Sequence, residues 1–211
     1  MKEKSNIGWP ILLMLVFACT RSPGLWPEGL KNFSAAYALA FCAGVYFPRR
    51  LAWWLPMATL LATDVVLNLF YYHTAAVNGF MMVNYVAYAG LIWIGRQNSP
   101  HSSILKLVCG GLLGAVLFYL LTNTAAWLQN PAYPKTLAGW VQALTGGVPG
   151  FPPTWTFFRN TLLSGGLFTG LFVGAMKLSE AAESAREKEE PEPADEEAQP
   201  EGKPKPQESE A

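Results

Sequence analysis

The chain has 211 residues, 51% of them hydrophobic and 14% charged, well under the roughly 25% charged that a soluble domain carries. Its formal net charge of zero hides an asymmetry: Leu178 to Ala211 holds twelve acids and four bases, a net of −8, and the preceding body holds eleven bases and three acids, a net of +8. This excludes an ordinary soluble domain, no nucleic-acid partner is expected, and three cysteines (Cys19, Cys42, Cys109) scattered in apolar runs without CxxC spacing form no disulfide framework.

Met1 to Thr20 opens with Lys2 and Lys4 and is apolar from Ile7 to Cys19. A basic start and an apolar run fit a signal peptide. Val16-Phe17-Ala18-Cys19 even has a faint lipobox character, although Phe17 is a poor match at its place. Because further apolar runs follow, an uncleaved first helix ending near Arg21-Ser22-Pro23-Gly24 is preferred. Pro23, Pro27 and Gly29 then mark a loop. Asn32 or Ser34 caps the second apolar run, Ala35 to Phe47. Ala36, Ala40 and Gly44 recur at four-residue spacing in it, a flat stripe on which another helix packs closely.

The third run, Leu51 to Tyr72, is apolar over about 20 residues, the length that crosses a bilayer core. Pro56 is expected to kink it. Asp64 sits in its middle, and no other Asp or Glu occurs between Glu28 and Glu180. An ionisable group at mid-membrane is costly, so it faces a protein interior or cavity and marks a functional site by default. Asn68 shares its helical face. A polar turn, His73 to Gly79, leads to the fourth run, Phe80 to Gly95, with Asn84 and Tyr85 near its start. The fifth, Ile104 to Thr122, carries Gly110 and Gly114 as GxxxG.

Asn123 to Thr156 is broken by five prolines and rich in Trp and Tyr, which suits interfacial or re-entrant structure. A short helix is expected at Lys135 to Leu144. The sixth run, Phe157 to Met176, has a second stripe at Gly166, Gly170 and Gly174. Beyond Lys177 the chain is rich in Glu, Pro and Lys and has no hydrophobic periodicity. It is expected to stay helical through about Arg186 and then to be disordered. The expected domains are 1–177, a transmembrane helical body, and 178–211, an acidic cytoplasmic tail.

The expected fold class is all-α: a polytopic membrane protein with about six transmembrane helices. With the N-terminus inside, the inner ends hold Lys2, Lys4, Arg49, Arg50, Arg96, Lys106 and Lys177 against Arg21, Lys31, Lys135 and Arg159 outside. The positive-inside rule favours that orientation and puts both termini in the cytoplasm.

Asp64 either pairs as an anion with a cationic ligand, a proton or Na⁺, or donates a hydrogen bond as a protonated acid, or serves as a structural partner for Arg159 or a helix N-terminus. Arg159 either binds a substrate carboxylate or snorkels to the interface. Asn32, Asn68, Asn84 and Asn123 either link helices or line a pocket. Asn123 with Trp127 and Tyr133 forms a polar and aromatic cluster of the kind that orients a small planar ligand. The sequence holds no HExxH, P-loop or nucleophile elbow, and His73 and His101 are too isolated for a metal site. No enzyme activity, cofactor or metal is expected, and an enzyme acting on lipid is the weakest reading.

Asn32-Phe33-Ser34 followed by a small-residue helix, Leu121-Thr122-Asn123 with Trp127, Tyr133-Pro134 with Thr136 and Gly139, and Asp64 after a proline together resemble a bacterial family of uncharacterised integral membrane proteins, over roughly Asn32 to Gly174. The run before Asn32 and the residues Thr124-Ala125-Ala126 depart from the family's usual pattern, and the acidic tail lies outside it. The family's plan is similar to that of the substrate-binding S subunits of energy-coupling-factor transporters. The resemblance implies a bacterial inner-membrane protein that binds a small solute. It also implies a membrane partner subunit docked on a small-residue stripe. The rival is a membrane scaffold that recruits a basic partner through its acidic tail.

Overall fold

The computed structural model describes residues 8–189. Among the described residues the chain is all-α, with seven α-helices and no strand: α1 (Gly8–Thr20), α2 (Ala36–Tyr46), α3 (Leu51–Val66), α4 (Gly79–Arg96), α5 (Ile104–Gln129), α6 (Leu137–Leu144) and α7 (Thr154–Glu189). Three stretches, Leu51–Tyr71, Ile104–Gln129 and Thr154–Ser184, are long and apolar enough to cross a membrane. They expose Leu61, Leu113, Leu117, Leu163 and Leu167. Apolar rows of this extent are a liability in water and are at rest against lipid, so the helices point to a membrane location.

The sequence leads one to expect six full spans, and three stretches have the length for it. The 11 residues of α2 rise only about 16 Å, roughly half of a bilayer core. Burial accounts for this. Every residue from Ala36 to Val45 is buried, and α2 packs against α1, α3, α4 and α5. A helix that is apolar all round belongs in the interior; shielded by its neighbours, α2 has no lipid thickness to match.

The crossing of α2 and α4 is a backbone contact. A Cβ on Gly44 would lie 2.2 Å from the Ile92 carbonyl oxygen, and one on Gly95 would lie 2.1 Å from that of Phe41. The Ala36-Ala40-Gly44 stripe is thus covered by the chain's own helices, which corrects the expectation that a partner subunit docks there. Gly110 and Gly114 take the Phe41 ring and the Leu91 side chain. Gly166 and Gly170 face Leu112 and Val108 of α5, and Gly174 has open space beside it.

The chain departs from the expected runs at two points, the π turn after α3 and the end of α5. Pro56 lies buried inside α3, which runs on as one helix to Val66. Leu67–Tyr71 then continues it as a π-helical turn. α5 extends to Gln129, beyond the expected end at Thr122. There the Thr122 hydroxyl and the Asn123 amide donate back to the carbonyls of Phe118 and Tyr119, each at 2.9 Å, and do not break the helix. Lys135 Nζ closes its C-terminus by donating to the Trp127 carbonyl and, at 2.7 Å, to that of Asn130.

The chain divides into two compact units at Met176/Lys177. In the second, the helix runs on to Glu189, and Lys177 pairs with Glu180 at 3.3 Å. The sequence leads one to expect disorder after about Arg186, but the helix runs three residues further, and the remainder of the acidic tail, residues 190–211, lies outside the described residues.

Candidate functional site

The first unit holds a cavity of about 790 Å³. Its lining comes from the end of α1, the π turn after α3 and the end of α5, and also from the starts of α2, α4 and α7. Three helices therefore arrive at this end and three leave it, an alternating, antiparallel arrangement.

The α1–α2 connection forms one wall. Thr20 ends α1 and is buried. Its hydroxyl accepts from the Ala35 N–H at 3.0 Å, while the Ser34 hydroxyl accepts from Ala36 N–H at 3.1 Å. The N-cap position is Ala35, and the two hydroxyls just before it satisfy orphan donors at this buried helix start. Asn32 does not cap; it turns the chain with φ = 65°, a left-handed conformation that Asn tolerates better than most residues. Trp26 donates to the Thr20 carbonyl at 3.0 Å and meets Phe33 edge-on at 4.8 Å.

The buried Asn160 holds this loop from α7. Its amide donates to the carbonyls of Gly29 and Lys31, both at 2.9 Å. Arg159 donates to Gly29 as well, at 3.0 Å, and its guanidinium stands 5.7 Å from the centre of the Trp155 ring. Arg159 is thus a clamp on the loop and does not line the cavity.

Asp64 lines the cavity and is 7% exposed. Its partner is Arg21, at the end of α1, whose Nη2 donates to Asp64 Oδ1. Arg159, one of the structural partners the sequence left open for Asp64, is not the one that pairs with it. A lone buried charge is costly, and a buried pair survives only when hydrogen-bonded. Here the pair is incompletely so: Arg21 Nη1 and Asp64 Oδ2 are both buried with no hydrogen-bond partner among the described residues. The Tyr85 hydroxyl lies within electrostatic reach of the Asp64 carboxyl.

Asn68 lines the cavity from the π turn, and its amide nitrogen donates to the Ala76 carbonyl at 3.1 Å. Such turns are frequent at functional sites. Asn78 caps α4, accepting from Met81 N–H at 3.2 Å, and lines the cavity with Asn84. Asn123 contributes from α5. Tyr37, Tyr88 and Phe118 supply an aromatic wall, Phe118 meeting both tyrosines edge-on. The Phe118 ring centre lies 4.8 Å from that of Tyr37 and 5.1 Å from that of Tyr88, while the two tyrosine rings stack at 6.1 Å.

Five of the eight sequence candidates, Asp64, Asn68, Asn32, Asn84 and Asn123, thus share one cavity. Trp127 and Tyr133 sit elsewhere. Trp127 donates to the Pro134 carbonyl at 2.8 Å, and Tyr133 is buried beside it in the α5–α6 connection. That connection is tight: Thr136 caps α6 by accepting from Gly139 N–H at 3.2 Å, and a Cβ on Gly139 would lie 2.0 Å from the Pro134 oxygen. The Trp127, Tyr133-Pro134, Thr136 and Gly139 pattern therefore builds a turn. The residues missed were Arg21 and Asn160. A lone arginine just after an apolar run, with one acid available in the whole membrane region, was the signal for the first.

Among the described residues no group of three or more His, Cys, Asp or Glu side chains could hold a metal ion. The model of a family of unknown function (DUF6580) matches residues 1–188, and the chain belongs to that family. The match is wider than the stretch that carries the motifs and takes in Arg21. No curated protein and no solved structure matches the chain.

Proposed function

We propose that this chain is a membrane component that binds a small solute for transport. Its cavity would be the binding site, and its plan would be that of a six-helix S subunit of an energy-coupling-factor transporter. One observation carries the reading: a cavity of about 790 Å³ with a polar and aromatic lining sits at one end of a helical body whose flanks are apolar. That volume lies within the range of small-molecule sites. The alternation of six helix ends around it supports six membrane-embedded helices, two of them short.

The opposite end carries Arg49 and Arg50 on the α2–α3 connection and Arg96 in the last turn of α4. By the positive-inside rule the cavity then opens to the outer face of a bacterial inner membrane. The second small-residue stripe is still open at Gly174, and there a membrane partner subunit would dock. The site is read as binding rather than catalytic because its one deep carboxylate is already paired with Arg21.

Native mass spectrometry of the protein, purified gently from its own host, tests the proposal. A small molecule should travel with the wild-type chain and be lost from the variant Asp64→Asn. A chain that carries no small molecule in any preparation, or the same one after Asp64→Asn, removes this cavity from solute binding.

A further inference from the structure

We infer that the solute is an amphiphile, with its polar head in the cavity and its apolar chain in a groove outside it, between α4 and α5. The inference rests on the proposed reading of the cavity as a solute site and adds the chemical class. The groove holds about 240 Å³ and is bounded by α4 and α5 alone. Its lining is aliphatic and aromatic side chains and two glycines. Val86 and Trp93 on one wall, and Leu117 and Leu121 on the other, are exposed. The groove therefore opens sideways, where lipid meets the helices.

Two features tie this groove to the cavity. The first is a shared wall. Asn84 and Tyr88, four residues apart on α4, line the cavity with Phe118 and Thr122, four apart on α5. Residues at that spacing lie on one helical face. Val86 and Gly90 of α4, with Leu117 and Leu121 of α5, line the groove on the other side of the same seam. Phe118 lines both, so one side chain borders the two spaces. The second feature is room to move. A Cβ on Gly90 would meet nothing within 4 Å. The Phe118 ring rests edge-on against Tyr37 and Tyr88, and a phenylalanine has no hydrogen bond to break when it changes rotamer.

The two ends of an amphiphile divide between these spaces for different reasons. An apolar chain gains little by leaving lipid for the groove, because lipid is equally apolar. What the groove supplies is position: it holds a chain along α4 and α5 up to the residue that borders the cavity. A polar head has the opposite preference. In hydrocarbon it has no hydrogen-bond partners and is costly. In the cavity the carboxamides of Asn32 and Asn84 both donate and accept. A wholly polar solute would use the cavity and leave the groove to lipid, and a wholly apolar one would do the reverse.

Native mass spectrometry of the full chain, taken from its host membrane in lipid nanodiscs, reads the class of the molecule, and variants place it. The wild-type chain should carry one amphiphile, enriched over the surrounding lipid. Asp64→Asn acts at the cavity. Gly90→Leu fills the groove from a position with open space around it. Each should cut the occupancy about tenfold, equivalent to about 1.4 kcal/mol. Gly174→Ala, away from both spaces, should leave it unchanged. Should Gly90→Leu fail to fold, Leu121→Trp fills the same groove from α5. A solute with no apolar chain overturns the inference and leaves the cavity a solute site. So does an amphiphile lost from Asp64→Asn and kept when the groove is filled. A lipid lost when the groove is filled and kept by Asp64→Asn is a groove lipid only, and overturns it as well. A chain that carries nothing in any preparation sinks both claims.

Discussion

Breaking the Arg21–Asp64 pair from one side should harm the protein more than removing it whole. The two side chains are 16% and 10% exposed, so solvent screens them little. Opposite unit charges about 4 Å apart attract by ~4 kcal/mol at an effective dielectric constant of 20. Removing one partner from a buried pair costs about 3–5 kcal/mol, because the survivor is left charged and desolvated. Arg21→Gln and Asp64→Asn should therefore each lose roughly 3 kcal/mol. The double variant loses both charges together and should lose about 1–2 kcal/mol, since an Asn–Gln contact keeps a hydrogen bond of ordinary net strength. The cycle then returns a coupling energy of several kcal/mol. Reversible unfolding in mixed detergent micelles, titrated with SDS, measures all four proteins. Additivity of the two single losses to within ~0.5 kcal/mol would refute the reasoning, as it would mean that the charges do not feel each other.

Replacing Gly44 or Gly95 by Val should abolish folded protein, because the new Cβ would meet a backbone oxygen at 2.2 or 2.1 Å and neither helix can yield; Gly174→Ala, with open space beside it, should match wild type in detergent-solubilised yield. Asn160→Ala should cost about 2 kcal/mol for two lost hydrogen bonds and two orphaned carbonyls, with hydrogen exchange rising at Gly29–Lys31 and not in α5. Deleting residues 190–211 should leave solute co-purification unchanged in native mass spectra; a solute-free chain that loses a co-purifying soluble partner with those residues would support the scaffold reading instead.

The membrane character and most helix positions could be read from the sequence because they rest on composition and run length, which are local. Asp64 could be singled out for the same reason, as the one acid in a long apolar region. Its partner could not. Arg21 and Asp64 are 43 residues apart, and choosing between Arg21 and Arg159 required knowing which helix ends share a face. The small-residue stripe of α2 read correctly as a close-packing surface, but spacing alone does not say whether the neighbour is another subunit or the chain's own α4. Trp127 and Tyr133 misled for a related reason. Aromatic and amide residues in a proline-rich segment look alike whether they hold a ligand or hold a turn, and here the Trp127 indole is spent on the Pro134 carbonyl. Asn160 gave no local sign, since its two acceptors lie 129 and 131 residues away.

The same pair also explains how a short first helix can belong to the wall of a cavity. α1 packs on α2 and α3 and turns Ile11, Leu12 and Leu15 outward. Lipid is as apolar as those side chains, so burial against the bundle offers α1 no hydrophobic gain over lipid; its attachment rests on packing and on polar contacts. At its cavity end those contacts are Thr20, bonded to the start of α2, and Arg21, bonded to Asp64 of α3. Loss of the Arg21–Asp64 bond would therefore unfasten the end of α1 as well as strand a buried carboxylate, so the integrity of the first helix and the pairing of the one acid in the apolar body rest on the same bond.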